Sequence, residues 1–181
     1  MSDIATIIKN NKKEPIKITI TLPTHAYFMS GIRDFTLALI RNTSDFSEQW
    51  AYRFQSVVDE LCNNAIEHGS SIGKEIKITF VNNPGESIEM MVEDSGTGES
   101  RMKAAEIKKL VDERSGKESE MHDIRGRGLA KIVKEWTDEL SFTDTPDGGI
   151  IVKVKKYLGD VKSKELTQSL SFAGDQTHIV I

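Results

Sequence analysis

Cysteine is almost missing from this chain of 181 residues, where Cys62 stands alone. A single thiol excludes an internal disulfide and a cysteine-rich zinc site, and it suits a reducing compartment; Cys62 reads as a small buried apolar residue. An excess of positive charge is missing too. The formal net charge of −4 leaves no basic field of the kind that draws nucleic acid or anionic lipid, so any bound polyphosphate must be held by local geometry and a metal ion. Long apolar runs are absent as well. None approaches the length of a membrane span, and MSDIATIIKNNKKEP has neither the basic start nor the apolar middle of a signal peptide. Together these absences predict a cytoplasmic protein with no direct nucleic-acid or membrane role. Internal repeats and low-complexity tracts are not found.

What remains is a globular composition, 38% hydrophobic and 29% charged, in a chain long enough for one sizeable core and too short for two ordinary domains. The expected organisation is an N-terminal extension over 1–15, one domain over 16–158, and a C-terminal tail over 159–181. The tail ends in THIVI, which suits an edge strand, a docking segment or a loosely held end.

Ile16, Ile18, Ile20 and Leu22 alternate with Lys17, Thr19 and Thr21, the period of a strand with one buried face. Helical spacing of Phe28, Ile32, Phe35, Leu39 and Ile40 predicts a helix over about 24–41, with Thr24 as its N-cap. A second helix is expected over about 50–68, stopping at Gly69. Two strands around Ile76–Phe80 and Ile88–Val92 are joined by NNPGE, which has hairpin-turn chemistry. Residues 99–125 are highly charged with one short amphipathic stretch near 104–111, and read as a mobile lid with little reason to pack without ligand. A third helix opens at Gly126–Gly128 and presents Leu129, Ile132, Val133, Trp136 and Leu140 on one face. Strands at about 140–143 and 150–154 flank TPDGG, a second hairpin. The fold class that results is α/β, a two-layer sandwich of a mixed, mostly antiparallel sheet with helices on one face.

Three segments carry chemistry. In VVDELCNNAIEHG, Glu60, Asn64 and His68 are four residues apart and form one polar row along the border of an apolar arc. Asn64 can offer its carbonyl oxygen to Mg²⁺, an ion that takes few protein ligands, and Glu60 can act as a general base. An ordinary amphipathic helix with a polar border accounts for the row equally, and His68 can serve a hydrogen bond within the fold. In VEDSGTGES, Asp94 leaves a strand end beside Gly96 and Gly98, which allow positive φ and close approach to a planar ligand. An ionised Asp accepts a hydrogen bond from an exocyclic amine, the mark of adenine. In RGRGLAKI, Gly126 and Gly128 open an amphipathic helix whose free N–H groups favour a polyphosphate, with Arg125 and Arg127 adding charge. Each is weak alone, since Asp and Gly are common in turns and glycine-rich helix starts need no ligand.

Together and in this order, E-x-x-x-N-A-x-x-H from Glu60 to His68, D-x-G-x-G from Asp94 to Gly98 and G-x-G-L from Gly126 to Leu129 resemble the N, G1 and G2 boxes of the GHKL ATPases. The resemblance spans roughly residues 16–157 and is greatest to the anti-sigma-factor serine-protein kinases of bacterial partner switching. It implies a Bergerat fold that binds ATP and Mg²⁺, a homodimer, phosphorylation of a small anti-anti-sigma (STAS-type) protein, and nucleotide-dependent capture of a sigma factor. Asn64, Asp94, Gly96, Gly98, Arg125, Gly126, Arg127, Gly128 and Leu129 would then bind nucleotide, with Asn64 on Mg²⁺ and Glu60 catalytic. Arg33, in SGIRDF, resembles an arginine the family carries on its first helix, which implies a place at the partner surface; an ordinary solvent-exposed helix arginine accounts for it as well. Glu99-Ser100 after the G1 box and the long tail depart from the pattern. Two other readings stay open: a detached histidine-kinase-like ATPase domain, and a non-catalytic ATP-binding module that acts by sequestering its partner.

Overall fold

Alternation in the strands sets up the core. In the computed structural model, which describes residues 14–99, 102–114, 128–129 and 133–159, the strands are β1 (Ile16–Pro23), β2 (Glu75–Asn83), β3 (Ser87–Glu93), β4 (Glu139–Asp144) and β5 (Ile150–Tyr157). They form one sheet in the order β1-β2-β3-β5-β4. The sheet expected to be mostly antiparallel is antiparallel in all four pairings, and both predicted hairpins are present. Register places Ile20 opposite Ile78, Ile78 opposite Val92, Val92 opposite Val152, and Val152 opposite Phe142. Side chains alternate with period two, so this row of even-numbered apolar residues crosses the whole sheet on one face.

Two helices, α1 (Met29–Thr43) and α2 (Glu48–Asn64), cover that face. From α1 come Met29, Ile32, Leu39 and Ile40, and from α2 Ala51, Phe54, Val57, Val58 and Leu61, all buried. The Phe35 ring lies 5.6 Å from that of Phe80. The opposite face carries Lys77 3.1 Å from Glu93, Glu89 between Lys153 and Lys155, and a Thr19–Thr79 hydroxyl pair. Surface ion pairs contribute about 0–1 kcal/mol each, whereas a fully buried aliphatic side chain contributes about 1.5–3 kcal/mol. The helix-covered face therefore dominates stability. Cys62 lies in it as expected, with burial, and Asp59 in addition, pushing its thiol up to about 12.

Three local expectations are corrected. Thr24 is not a helix cap: its N–H and its hydroxyl both donate to the Lys74 carbonyl, tying β1 to the loop before β2. A 3-10 turn at Ala26–Phe28 comes first, capped by His25 Nδ1, which accepts from the Tyr27 N–H, and α1 starts at Met29. The second helix begins at Glu48, and its last turn, Ala65–Gly69, is π-helical. Leu140 belongs to β4, paired with Val154. The preceding helix ends with α4 (Lys134–Trp136), where Thr137 turns extended and gives its hydroxyl to the Val133 carbonyl.

Within the charged stretch, α3 (Ala104–Arg114) packs against the core, because Ala104, Ile107 and Val111 recur at helical spacing and bury, fully or in part. Its first turn donates the Ala104 N–H to the Asp144 carboxylate and the Lys103 N–H to that of Glu106. Residues 100–101 and 115–125 of the expected lid lie outside the described residues, as do the extension over 1–13 and the tail beyond 159.

Asn82 is a buried polar residue on the covered face, and its amide donates to the Thr43 carbonyl and hydroxyl at the end of α1. Asn82→Leu keeps the branched shape, though not the volume, and leaves that helix-terminal carbonyl without its donor. We expect a loss of about 1–3 kcal/mol in urea unfolding; a loss under roughly 0.5 kcal/mol would show that Asn82 does not anchor α1.

Candidate functional site

At the end of α2, the Asn64 amide group donates to the Glu60 backbone carbonyl at 2.6 Å and to Glu60 Oε1 at 2.8 Å. Both partners are acceptors, so the nitrogen must face Glu60, and the Asn64 carbonyl oxygen is the atom left for a ligand. Asn64 lines a cavity whose walls are apolar: Leu61 and Ala65 from α2, Val92 from β3, Ile150 and Val152 from β5. Ile107 and Leu110 of α3 close it from the side, with Leu129. A slot of this kind with few polar groups suits a planar ligand.

Asp94 is the one carboxylate among the described lining residues. It follows β3 directly, and its Oδ1 accepts from the Gly96 N–H at 2.8 Å and the Ile150 N–H at 3.1 Å. Burial raises its pKa above the ordinary value; the two N–H donors oppose that rise and Glu93 adds to it. Glycine makes the enclosure possible. A Cβ on Gly69 would stand 2.4 Å from the Asp94 carboxylate, and one on Gly149 would stand 2.2 Å from the Asp94 carbonyl oxygen. Gly96 has φ of 64° and abuts the Gly148 carbonyl, while Gly98 abuts that of His68 and donates its N–H to Gly69. Ser70 and Thr97 complete the knit, accepting from the Ser95 and Ser71 N–H groups.

The Glu60 end is built differently. A Cβ on Gly128 would fall 2.1 Å from the Glu60 carboxylate carbon, so Gly128 lies directly against that carboxylate. Glu60 is beside the cavity lining rather than in it. His68 lines the cavity, 3.9 Å from a Glu67 oxygen. Arg33 is outside the cavity lining; its guanidinium donates to Asp59 at 2.9 Å, half exposed. The structure thus brings together Glu60, Asn64, Asp94, Gly96, Gly98, Gly128 and Leu129. Arg125, Gly126 and Arg127 lie outside the described residues. Sequence reasoning missed Gly69, Gly148 and Gly149, although the first closes the Glu60–His68 row and the others are the GG of TPDGG, read there only as a turn.

These residues fit a magnesium nucleotide. Asn64 offers a carbonyl oxygen, Asp94 keeps Oδ2 for an amine, and glycines leave backbone close to an apolar slot. Residues 23–156 match the family model of the histidine kinase-like ATPase domain. The chain belongs to that family, a class of ATPase domains. Among solved structures, the crystal structure of the SiaB–SiaC complex from Pseudomonas aeruginosa contains a similar chain, 12% identical, with a TM-score of 0.49 over 87% of this chain and 99% of that one. A search of curated proteins gave no match.

The raised pKa of Asp94 fixes a sign. Its charged form is disfavoured in the folded state, so the unliganded protein carries that penalty at neutral pH and is relieved of it as pH falls through the raised value. Asp94→Asn should therefore melt higher than wild type at neutral pH, with the gap narrowing on acidification. The same variant should weaken ATP binding by about 1.5–3 kcal/mol, as expected for a hydrogen bond to a charged group. Thermal melts and calorimetry test the pair, and unchanged ATP affinity would remove Asp94 from the base site.

Proposed function

We propose that this chain is an ATP-dependent serine/threonine-protein kinase and anti-sigma factor of a bacterial partner-switching system. It phosphorylates a small STAS-type anti-anti-sigma protein, captures a sigma factor in a nucleotide-dependent way, and works as a cytoplasmic homodimer. The observation that carries this reading is the Glu60–Asn64 pair: a carboxylate that accepts a hydrogen bond from the Asn64 amide, one helical turn from a metal-competent oxygen. A seryl hydroxyl needs a base, whereas imidazole is already nucleophilic near neutral pH, so an intact Glu60 favours serine or threonine over histidine as acceptor.

Bound Mg·ATP supplies the phosphoryl group and the charge neutralisation that its transfer chiefly needs. Asp94 accepts from the exocyclic amine of the base, and Asn64 holds the metal through its carbonyl oxygen. Arg125, Gly126, Arg127, Gly128 and Leu129 are assigned to the phosphate side. Glu60 takes the hydroxyl proton of the incoming serine. Arg33, oriented by Asp59, is assigned to the partner surface. One observation favours the sequestering module as a second reading: Gly128 lies against the Glu60 carboxylate and covers part of it.

Glu60 and Asn64 have separable jobs. Glu60→Gln should keep much of the ATP affinity and slow transfer to the partner serine by about 10²–10⁴-fold. Asn64→Ala should lose the Mg²⁺-dependent part of binding, since it removes a metal ligand. Radiolabelled phosphate transfer to a candidate anti-anti-sigma protein, with nucleotide affinities in parallel, reads both. A wild type that binds Mg·ATP and captures a sigma factor but transfers nothing would replace the kinase with the sequestering module.

A further inference from the structure

The two tryptophans of the chain, far apart in sequence, share one cation. The Arg53 guanidinium carbon lies 4.5 Å from the centroid of the Trp50 ring and 5.9 Å from that of Trp136. Trp50 is fixed from behind by the aromatic rings of Phe46 and Phe54. Lys156 also approaches Trp50, at 4.8 Å, but its ammonium group is bonded to Asp138 at 2.8 Å. Among the described residues, Arg53 is thus the cation that reaches both indoles, and its flat guanidinium suits a place between two rings.

Position along the helices gives this stack its consequence. Arg53 and Glu60 are seven residues apart on α2, two turns, and so lie on the same side. Trp136 meets Arg53 and Gly128 meets Glu60, so these two residues contact α2 two turns apart, Trp136 toward its start and Gly128 toward its end. One contact is the cation stack, the other the approach of Gly128 to the carboxylate. Val133, between them in sequence, is buried in the core.

We infer that Arg53 is a positioning residue, which by clasping Trp136 against Trp50 sets Gly128 on Glu60 and so shapes the metal and phosphate end of the site. The inference rests on the Mg·ATP reading above. Asp94 and its glycine walls are held by their own backbone bonds, and of the described cavity lining Leu129 alone adjoins Gly128, so the base end depends little on the clasp. Loss of the clasp therefore costs affinity for the triphosphate while largely sparing affinity for the nucleoside.

Calorimetry with adenosine and with Mg·ATP on wild type, Arg53→Met and Arg53→Lys tests this, with thermal melts to establish that each is folded. Arg53→Met keeps length without charge, and should lose about three- to thirtyfold in Mg·ATP affinity, the range a cation–π contact allows, with adenosine unchanged. Arg53→Lys keeps a cation that can face one ring but not lie flat between two, and should fall between the other two proteins. Tryptophan quenching by acrylamide should rise in the same order. The clasp is overturned if Met keeps the full triphosphate advantage, if Lys is as poor as Met, or if adenosine affinity falls in step, which marks a general loosening. A wild type with no preference for Mg·ATP over adenosine defeats the nucleotide reading itself, a result distinct from the other three.

Discussion

A carboxylate withdrawn from water must be met by donors, and three loops converge on Asp94 to meet it. The turn after β3 supplies the Gly96 N–H, the start of β5 supplies the Ile150 N–H, and the end of α2 closes in through Gly69. A Cβ would collide with Asp94 at Gly69 and Gly149, and with the Gly148 carbonyl at Gly96. Much of the surrounding structure follows from that demand. The β4–β5 hairpin must end in two glycines to bring its backbone against Asp94, and the α2 helix must finish where Gly69 can touch the carboxylate. The π-helical turn at Ala65–Gly69 is placed where the helix has to end against a fixed neighbour, and such turns are common at functional sites.

The same helix joins the core to the chemistry. Phe54, Val57, Val58 and Leu61 anchor α2 on the sheet, and the border of that apolar arc carries Arg53, Glu60 and Asn64. Side chains on a helix packed this firmly have few alternatives, because displacing them means unpacking an interior as dense as an organic crystal. A hydrogen bond between Glu60 and Asn64 then orients both groups at little further entropic cost. The apolar row across the sheet thus bears on function: it fixes the platform from which the polar groups project.

The architecture was legible in the sequence wherever one residue's pattern decided its neighbourhood. Ile16 to Leu22, Ile76 to Phe80 and Ile88 to Val92 alternate cleanly, and NNPGE and TPDGG fix both hairpins. Glu60, Asn64 and Asp94 were identifiable because their spacing and setting are local. What escaped was pairing between distant segments. Thr24 has every property of a helix cap, yet its hydroxyl goes to the Lys74 carbonyl fifty residues on. Leu140 continues a helical spacing and is claimed by Val154 across the sheet. The three apolar residues of α3 looked too few to pack until the site supplied the surface they cover. Gly148 and Gly149 read as a turn because a turn is all their neighbours in sequence require; the second requirement, contact with Asp94, comes from residues more than fifty positions away.

The two ends of the site are built from different materials, and this has consequences for how such a domain can change. At the Asp94 end backbone abuts backbone at Gly96, Gly98 and Gly149, so a side chain added at any of these forces main chain to move. The Glu60 end rests mainly on side chains, with the Asn64 amide on the Glu60 carboxylate and Arg53 near two indoles, while the Glu60 carbonyl and Gly128 are its backbone contacts. Exchanges at these side chains leave the bonds that hold Asp94 in place. Asp94 after β3 and the Glu60–Asn64 pair on α2 border the same cavity without sharing a hydrogen bond, so substitutions at the two ends should act largely independently.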